Sequence, residues 1–208
     1  MQSSLARPVL LIVTGLPASG KSNCAARLAA RTGLAPIAKD ELKEALFARF
    51  GTGDAAWSRR LSDAAFAGVF AQAAARLRAG AGALIEGNFR AGEHEPAILD
   101  ACGGGTGAPA VRIAQLLCRV DEARRLARLE ARVASGARHA GHLDAEALAA
   151  LRAGRAAGPG APSDCFLDLP GPRIVYDPGD GPAGAAPDAQ VERLAAWVEG
   201  RWPTQRPC

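Results

Sequence analysis

Short apolar runs recur along the chain, and longer stretches with helical spacing of apolar residues separate them. The first run, "VLLIV" from Val9 to Val13, is continuously apolar, which is typical of a strand buried on both faces of a parallel sheet. Four further short runs are rich in apolar residues without being continuously apolar, and they also predict strands. The pattern therefore predicts five strands, at Val9–Thr14, Pro36–Ala38, Ala83–Glu86, 111–118 and Arg173–Tyr176.

The stretches between these runs predict helices, and glycine- and proline-rich segments predict loops. The helices are expected at 21–31, closed by Gly33, at 41–50 with Asp40 as N-cap, at 57–77, at 121–133 and at 191–198. Alternation of strands with helices predicts an α/β fold with a parallel sheet and helices on both faces. Ligands bind such sheets at the carboxyl ends of the strands. Gly15, Asp40 and Glu86 are all placed there.

Composition narrows the class of protein. With 208 residues and 49% hydrophobic composition, we expect one domain over 1–202 and a frayed tail at 203–208. The net charge of +4 is compatible with an anionic small substrate or a nucleic acid and requires neither. There is no apolar run of the roughly 18 residues that a membrane span needs, no signal-peptide pattern and no paired cysteine spacing. We therefore expect a cytoplasmic protein with no membrane partner.

The segment "GLPASGKS" joins the first strand to the first helix and matches the P-loop pattern G-x-x-x-x-G-K-S. Its glycines let backbone N–H groups surround an anion, and the following helix directs its positive dipole end at the same point. Lys21 can reach the outer phosphates of a nucleotide, and the Ser22 hydroxyl can bind Mg²⁺. The pattern predicts an ATP and Mg²⁺ site formed by Gly15, Leu16, Pro17, Ala18, Ser19, Gly20, Lys21 and Ser22.

Two carboxylates follow strands at the same predicted edge. Asp40 fits a helix N-cap, and it also fits a general base for an acceptor hydroxyl or an Mg²⁺ contact. Glu86 ends an apolar strand and is a candidate for Mg²⁺ or for the substrate. Asn88 and Arg90 come next in "EGNFR" and either touch the substrate or only fold the turn.

A second informative stretch is "EARRLARLEARVASGARHAGH". Helical spacing places Arg125, Arg128 and Arg132 together, and Arg138 follows in a glycine-containing loop. A solvated basic face is the ordinary explanation for such a run. A planar, permanently charged guanidinium also suits a transferring phosphoryl group, so Arg128 and Arg132 are candidate catalytic residues. Arg128 is a candidate for contact with the nucleotide as well. The histidines at 139 and 142 lack a further ligand at metal spacing, which disfavours a metal site.

Together these motifs make the chain similar to P-loop kinases of the AAA_33 type, a group allied to shikimate, gluconate, chloramphenicol and polynucleotide kinases and zeta toxins. The resemblance covers roughly residues 9 to 178 and rests on "GLPASGKS", "AKDELKEALF", "GTGDAAWSRRL", "LIEGNFR" and "RLEARVASGARHAGHLD". In that group "RHPGH" is familiar, and here Ala140 replaces the proline. The group's usual acidic pair on the third strand is reduced to Glu86 alone.

The resemblance implies a three-layer α/β/α P-loop NTPase fold with strand order 2-3-1-4-5 and an arginine-bearing lid at about 124–143. It also implies ATP with Mg²⁺ and a phosphate acceptor near Asp40, with Arg138 as a further substrate contact. It does not identify the acceptor or the oligomeric state.

Three functions remain open on the sequence. The leading hypothesis is a kinase that transfers the γ-phosphoryl group to a hydroxyl of a small molecule. A kinase for nucleic-acid 5′-hydroxyl ends would need stacking aromatics, and only 5% of residues are aromatic. A regulatory ATPase without an acceptor would keep Lys21 and Ser22 but would not need Asp40.

Overall fold

The computed structural model describes residues 7–103, 111–136, 138–154, 162–178 and 189–200. Within them a parallel sheet of five strands has the order β2-β3-β1-β4-β5, which confirms the expected α/β fold and strand order. The strands are β1 (Val9–Thr14), β2 (Pro36–Ala38), β3 (Ala83–Glu86), β4 (Arg112–Cys118) and β5 (Arg173–Tyr176).

Helices cover both faces of this sheet, as the alternation of elements predicts. They are α1 (Lys21–Thr32), α2 (Lys39–Phe50), α3 (Ala55–Arg78), α4 (Glu95–Ala101), α5 (Glu122–Ser135), α6 (Asp144–Arg152) and α7 (Ala189–Val198). None of the helices in the described ranges is long and apolar enough to cross a membrane.

Alternate residues of β1 enter two separate cores, because successive side chains of a strand point to opposite faces. Leu11 and Val13 pack with Leu28 of α1 and with α7 on one face. Leu10 and Ile12 pack with α3 on the other. Burial on both faces explains why this strand is apolar at every position from Val9 to Val13.

The sheet brings the ends of β1, β2 and β3 to one edge. Val13 of β1 is opposite Glu86, and Ala38 of β2 is opposite the same glutamate. Gly15 follows β1 with φ +142, and a Cβ atom there would lie 2.3 Å from the carbonyl oxygen of Cys118. Only glycine allows this close approach, so the loop turns over the end of β4.

The start of α2 corrects one prediction. The helix begins at Lys39 and its N-cap position is Ala38, so Asp40 lies inside the first turn and is not the cap. Lys39 and Asp40 already have helical backbone, and the Asp40 carboxylate pairs with Lys39 and Arg138 instead of capping the helix.

Other boundaries shift by a few residues. Asp54 caps α3 by accepting a hydrogen bond from the Trp57 backbone N–H, so this helix starts at Ala55. Two helices, α4 and α6, were not predicted from the sequence. The predicted tail at 203–208 lies outside the described residues.

Candidate active site

The P-loop runs from Gly15 to Ser22 and ends on the first turn of α1. Gly20 has φ +90 and Ala18 has φ +63, so two residues adopt the left-handed region that bends the loop. No side chain of the described residues caps the start of α1. Its first N–H groups therefore stay available to an anion, and the helix dipole adds attraction at the same point.

Lys21, Ser22 and Glu86 form the inner wall of the site. The Lys21 ammonium donates to the Leu16 carbonyl oxygen at 2.9 Å. The Ser22 hydroxyl donates to Glu86 Oε2 at 3.4 Å. Burial lowers the pKa of Lys21, against the opposing effect of Glu86, and burial raises the pKa of Glu86, against that of Lys21. Both charges are thus insufficiently compensated by the protein alone.

These residues fit a nucleotide phosphate and a magnesium ion. A phosphate would supply the anion that Lys21 lacks, and a cation would supply the partner that buried Glu86 lacks. The Ser22 hydroxyl and the Glu86 carboxylate are oxygen donors, which Mg²⁺ prefers. The buried Ser19 hydroxyl also has no hydrogen-bond partner among the described residues.

Asp40 faces the P-loop from the first turn of α2. Its carboxylate pairs with Lys39 at 3.3 Å and with the Arg138 guanidinium. Burial alone would raise the pKa of Asp40, but the nearby cations outweigh it and lower that pKa to about 2. The groups that lower it, in decreasing order of effect, are Lys39, Arg138, His142 and Lys21. The carboxylate is therefore ionised at neutral pH.

The predicted lid, at about 124–143, covers most of α5 and a turn at Ala140–His142, and α6 begins directly after it at Asp144. Arg138 NH1 donates to Asp144 Oδ1 at 2.9 Å, and Arg132 NH2 donates to the same oxygen at 3.0 Å. Asp144 thus holds two lid arginines beside each other, and Arg138 reaches Asp40 with its second nitrogen. Arg125, which belongs to the same basic run, is buried instead of solvated.

Ring contacts fasten this lid to α2. Phe47 stacks on His139 with centroids 5.0 Å apart and meets His142 edge-on at 5.7 Å. His142 Nε2 lies 2.9 Å from Glu44 Oε1. A Cβ atom at Gly141 would lie 2.6 Å from the Phe47 ring, so glycine is required for this close packing. The two histidines therefore have packing roles in this structure.

A cleft of about 380 Å³ joins these parts. Predicted site residues in its lining are Pro17, Ala18, Gly20, Lys21, Ser22, Asp40, Glu86, Asn88, Arg128, Arg132 and Arg138. Gly15, Leu16 and Ser19 form the buried base of the loop behind the cleft, and Leu16 lines a second cavity with Arg119 and Arg125. Arg90 is outside the cleft lining and pairs with Glu93 at 2.9 Å. The structure thus brings most, but not all, of the candidates together.

Comparison with known proteins agrees with this arrangement. Residues 10–157 match the AAA_33 family, which is described as an AAA domain. The chain belongs to the AAA_33 family. A presumed kinase from Chloroflexus aurantiacus J-10-fl superimposes with a TM-score of 0.76 and 27% identity, covering 95% of this chain and 100% of that one. The family and this likeness confirm the resemblance to P-loop kinases of the AAA_33 type.

Two other solved structures are less similar. A gluconokinase from Sinorhizobium meliloti 1021 has a TM-score of 0.47 and 16% identity over 94% of this chain and 93% of that one. A sugar kinase from Janibacter sp. HTCC2649 has a TM-score of 0.46 and 19% identity over 93% of this chain and 95% of that one. No curated protein sequence matches significantly.

Several cleft residues of this AAA_33 protein were missed by sequence reasoning. They are Lys39, Lys43, Ser62, His142 and Asp144. A signal for the lysines exists: the chain has only three lysines, at 21, 39 and 43, and all three line the cleft. Asp144 ends the stretch "RLEARVASGARHAGHLD" that carries the family resemblance, but no comparable signal marks Ser62.

Proposed function

We propose that the protein is an ATP- and Mg²⁺-dependent kinase that transfers the γ-phosphoryl group to a hydroxyl of a small molecule. The observation that carries this proposal is that Lys21 of the P-loop and Asp40 of α2 line the same cleft. Phosphoryl transfer needs a phosphate cradle and a group that orients the attacking hydroxyl, placed opposite each other. The AAA_33 membership and the likeness to a presumed kinase support the same reaction class.

The P-loop would hold the nucleotide. Its backbone N–H groups and the start of α1 would bind the inner phosphates, and Lys21 would exchange the Leu16 carbonyl for the outer ones. Ser22 and Glu86 would hold magnesium directly or through water. When bound, the ion would neutralise phosphate charge during transfer.

Asp40 would orient the acceptor hydroxyl and accept its proton at a carboxylate oxygen as the new O–P bond forms. With a pKa of about 2 the carboxylate is a weak base while Arg138 and Lys39 surround it. Displacement of Arg138 towards a phosphate would raise the pKa of Asp40, because the guanidinium is one of the charges that depress it. The same movement would strengthen the base and place a cation on the transferring group.

Arg128 and Arg132 would act from the lid. Both side chains line the cleft on the side of α5 that faces the P-loop, and Arg128 lies within 3.5 Å of where a Cβ atom at Gly20 would stand. Two guanidinium groups there would bind the γ-phosphoryl oxygens as charge develops, and a closed lid would exclude water that otherwise competes with the acceptor.

The test is acceptor-dependent ADP release. Purified protein with MgATP is assayed alone, with a panel of small hydroxyl compounds, and with a 5′-hydroxyl oligonucleotide. Stimulation by a small compound, with the phosphorylated product seen by mass spectrometry, is expected. Acceptor-independent turnover would favour a regulatory ATPase, and stimulation by the oligonucleotide alone would favour a nucleic-acid kinase; both outcomes contradict the proposal.

A further inference from the structure

Lys43 is a buried cation in the cleft that the proposed transfer does not use. It lies on α2 one turn beyond Asp40, and only 5% of the residue is exposed. Its ammonium donates to the Ser58 hydroxyl at 2.7 Å and lies 5.2 Å from the centroid of the Phe47 ring. Ser58 in turn donates to the Gly141 carbonyl oxygen at 2.9 Å, so its hydroxyl links Lys43 to the lid.

Lys43 differs from neighbouring cations in its lack of a carboxylate partner. Lys39 has Asp40 at 3.3 Å, and Arg132 has Asp144 at 2.8 Å. In the part of the chain that the structure describes, no carboxylate oxygen lies within 4.0 Å of the Lys43 ammonium. A single hydroxyl uses one of its three N–H donors.

Burial of a charge without a counter-ion is unfavourable, and this cost favours the neutral amine form of Lys43. Burial, together with Lys39, lowers the pKa of Lys43 to about 8. A structural link to Ser58 needs only a neutral donor, so it does not account for a cation at this position. An anion delivered by a ligand would supply the missing partner.

We propose that the acceptor of the proposed kinase carries a carboxylate or a phosphate group that the Lys43 ammonium binds while the acceptor hydroxyl faces Asp40. This inference rests on the proposed function and specifies its substrate class. Side chains three residues apart on a helix have Cβ atoms about 5–6 Å apart. Because Asp40 and Lys43 also line the same cleft, one small acceptor that carries an anionic group and a hydroxyl would reach both, as a hydroxy acid or a sugar phosphate would.

The first experiment compares compounds that share a polyol skeleton and carry a carboxylate, a phosphate or a neutral hydroxyl at one end. Two series are used. The first is glycerate, glycerol 3-phosphate and glycerol, and the second is gluconate, glucitol 6-phosphate and glucitol. Each is titrated by calorimetry into the wild-type protein saturated with MgADP, and each is assayed for ADP release with MgATP. At least one anionic compound is expected to bind tenfold or more tightly than its neutral counterpart. The carboxylate and phosphate members decide which anion fits.

The second experiment removes the charge and keeps the donor. Lys43→Gln can still donate to Ser58, so a purely structural role is retained, whereas the preference for the anionic compound is expected to disappear. Lys43→Arg restores a charge and should recover part of the preference. Arg60→Met removes an exposed cation of α3 outside the cleft and should leave the preference unchanged.

Proton uptake provides a test in the wild-type protein alone. The charged and titratable groups that face Lys43 are Lys39 and Asp40 on α2, Asp63 on α3, and Arg138 and His142 of the lid. A bound anion favours the ammonium form of Lys43, so affinity for the anionic compound should fall as pH rises from 7 to 9. At pH 8 anion binding should draw a proton from the buffer onto Lys43, so the measured binding enthalpy should depend on the ionisation enthalpy of the buffer. This dependence should be smaller in Lys43→Gln, which cannot take up the proton.

The outcomes separate the two proposals. Equal binding of charged and neutral compounds, a preference that survives Lys43→Gln, or no binding of any anion would overturn the anionic-acceptor inference. A compound that binds through Lys43 yet neither stimulates ADP release nor becomes phosphorylated would retain the anion site and contradict the kinase. Phosphorylation of a neutral compound without any preference for anions would support the kinase and overturn the anionic-acceptor inference.

Discussion

The two sides of the cleft are built in different ways. On the phosphate side, eight consecutive residues from Gly15 to Ser22 form the loop, and backbone geometry makes most of the site. On the lid side, the contacts join residues far apart in the chain: Arg138 and Asp40 are 98 positions apart, and Ser58 and Gly141 are 83 apart. The first side depends on local conformation, and the second depends on tertiary packing.

This difference has a consequence for motion. The P-loop is continuous with β1 and α1, and Gly15 lies against the backbone of β4, so it cannot move without disturbing the core. The lid is held to α2 by an ion pair, a ring stack and the contact of His142 with Glu44, and to α3 by the hydrogen bond from Ser58 to Gly141. Such contacts can separate while the sheet stays intact, which suits a part that would admit an acceptor in the proposed reaction.

The largest expected effect tests the lid side through Asp40→Asn. Loss of a positioned general base should reduce acceptor-dependent transfer about 10²–10⁴-fold, with ATP affinity unchanged. Transfer and ATP binding are measured on the same preparation. Glu41→Gln, an exposed neighbour on α2, is the matched control. Intact transfer would exclude Asp40 as the base, and lost ATP binding would indicate a role in binding Mg²⁺.

The phosphate side is tested by Lys21→Ala. This change removes the ammonium that would contact the outer phosphates, and transfer should fall about 10²–10³-fold, the typical weight of one preorganised charge. The melting temperature should stay close to that of the wild type, because within the described residues the Lys21 ammonium donates to a single loop carbonyl. Arg27→Ala, farther along α1, serves as the control. A variant with wild-type turnover would refute the assignment of the P-loop.

The double variant Arg128→Ala, Arg132→Ala tests whether the two sides meet during transfer. If the lid arginines act on the transition state, kcat should fall about 10- to 100-fold, the weight of charge-assisted hydrogen bonds, with a smaller rise in the KM for ATP. Arg124→Ala removes a lid arginine that pairs with Asp177 outside the cleft. An unchanged kcat in the double variant would mean that these arginines do not act on the transition state and have only structural roles.

The smallest effect is a pH dependence of stability. The pKa of Asp40 is about 2 in the folded protein and 3.8 ordinarily, so its ion pairs stabilise the fold above pH 3.8. That contribution is lost as pH falls through about 2. Urea unfolding of the wild type and of Asp40→Asn should therefore show a difference that shrinks from pH 6 towards pH 2.5. A constant difference would mean that Asp40 stabilises the fold by something other than its charge.

Sequence reasoning succeeded for the parts that local patterns encode. The five strands, the P-loop and the position of Glu86 at the end of β3 follow from apolar runs and glycine spacing. It placed Arg128, Arg132 and Arg138 near the cleft because of their spacing and the family resemblance. It failed at Asp40 as an N-cap, because Lys39 already enters the helix, and it missed α6, which carries Asp144.

The sequence by itself determined the phosphate side, because a P-loop works through backbone N–H groups whose positions depend on adjacent residues. Only the tertiary structure decided the partners of Asp40, the burial of Lys43 and the separation of Arg90 from the cleft. The charge state and role of such side chains depend on burial and on partners that packing brings together from distant parts of the chain. No local pattern records which distant residues those are.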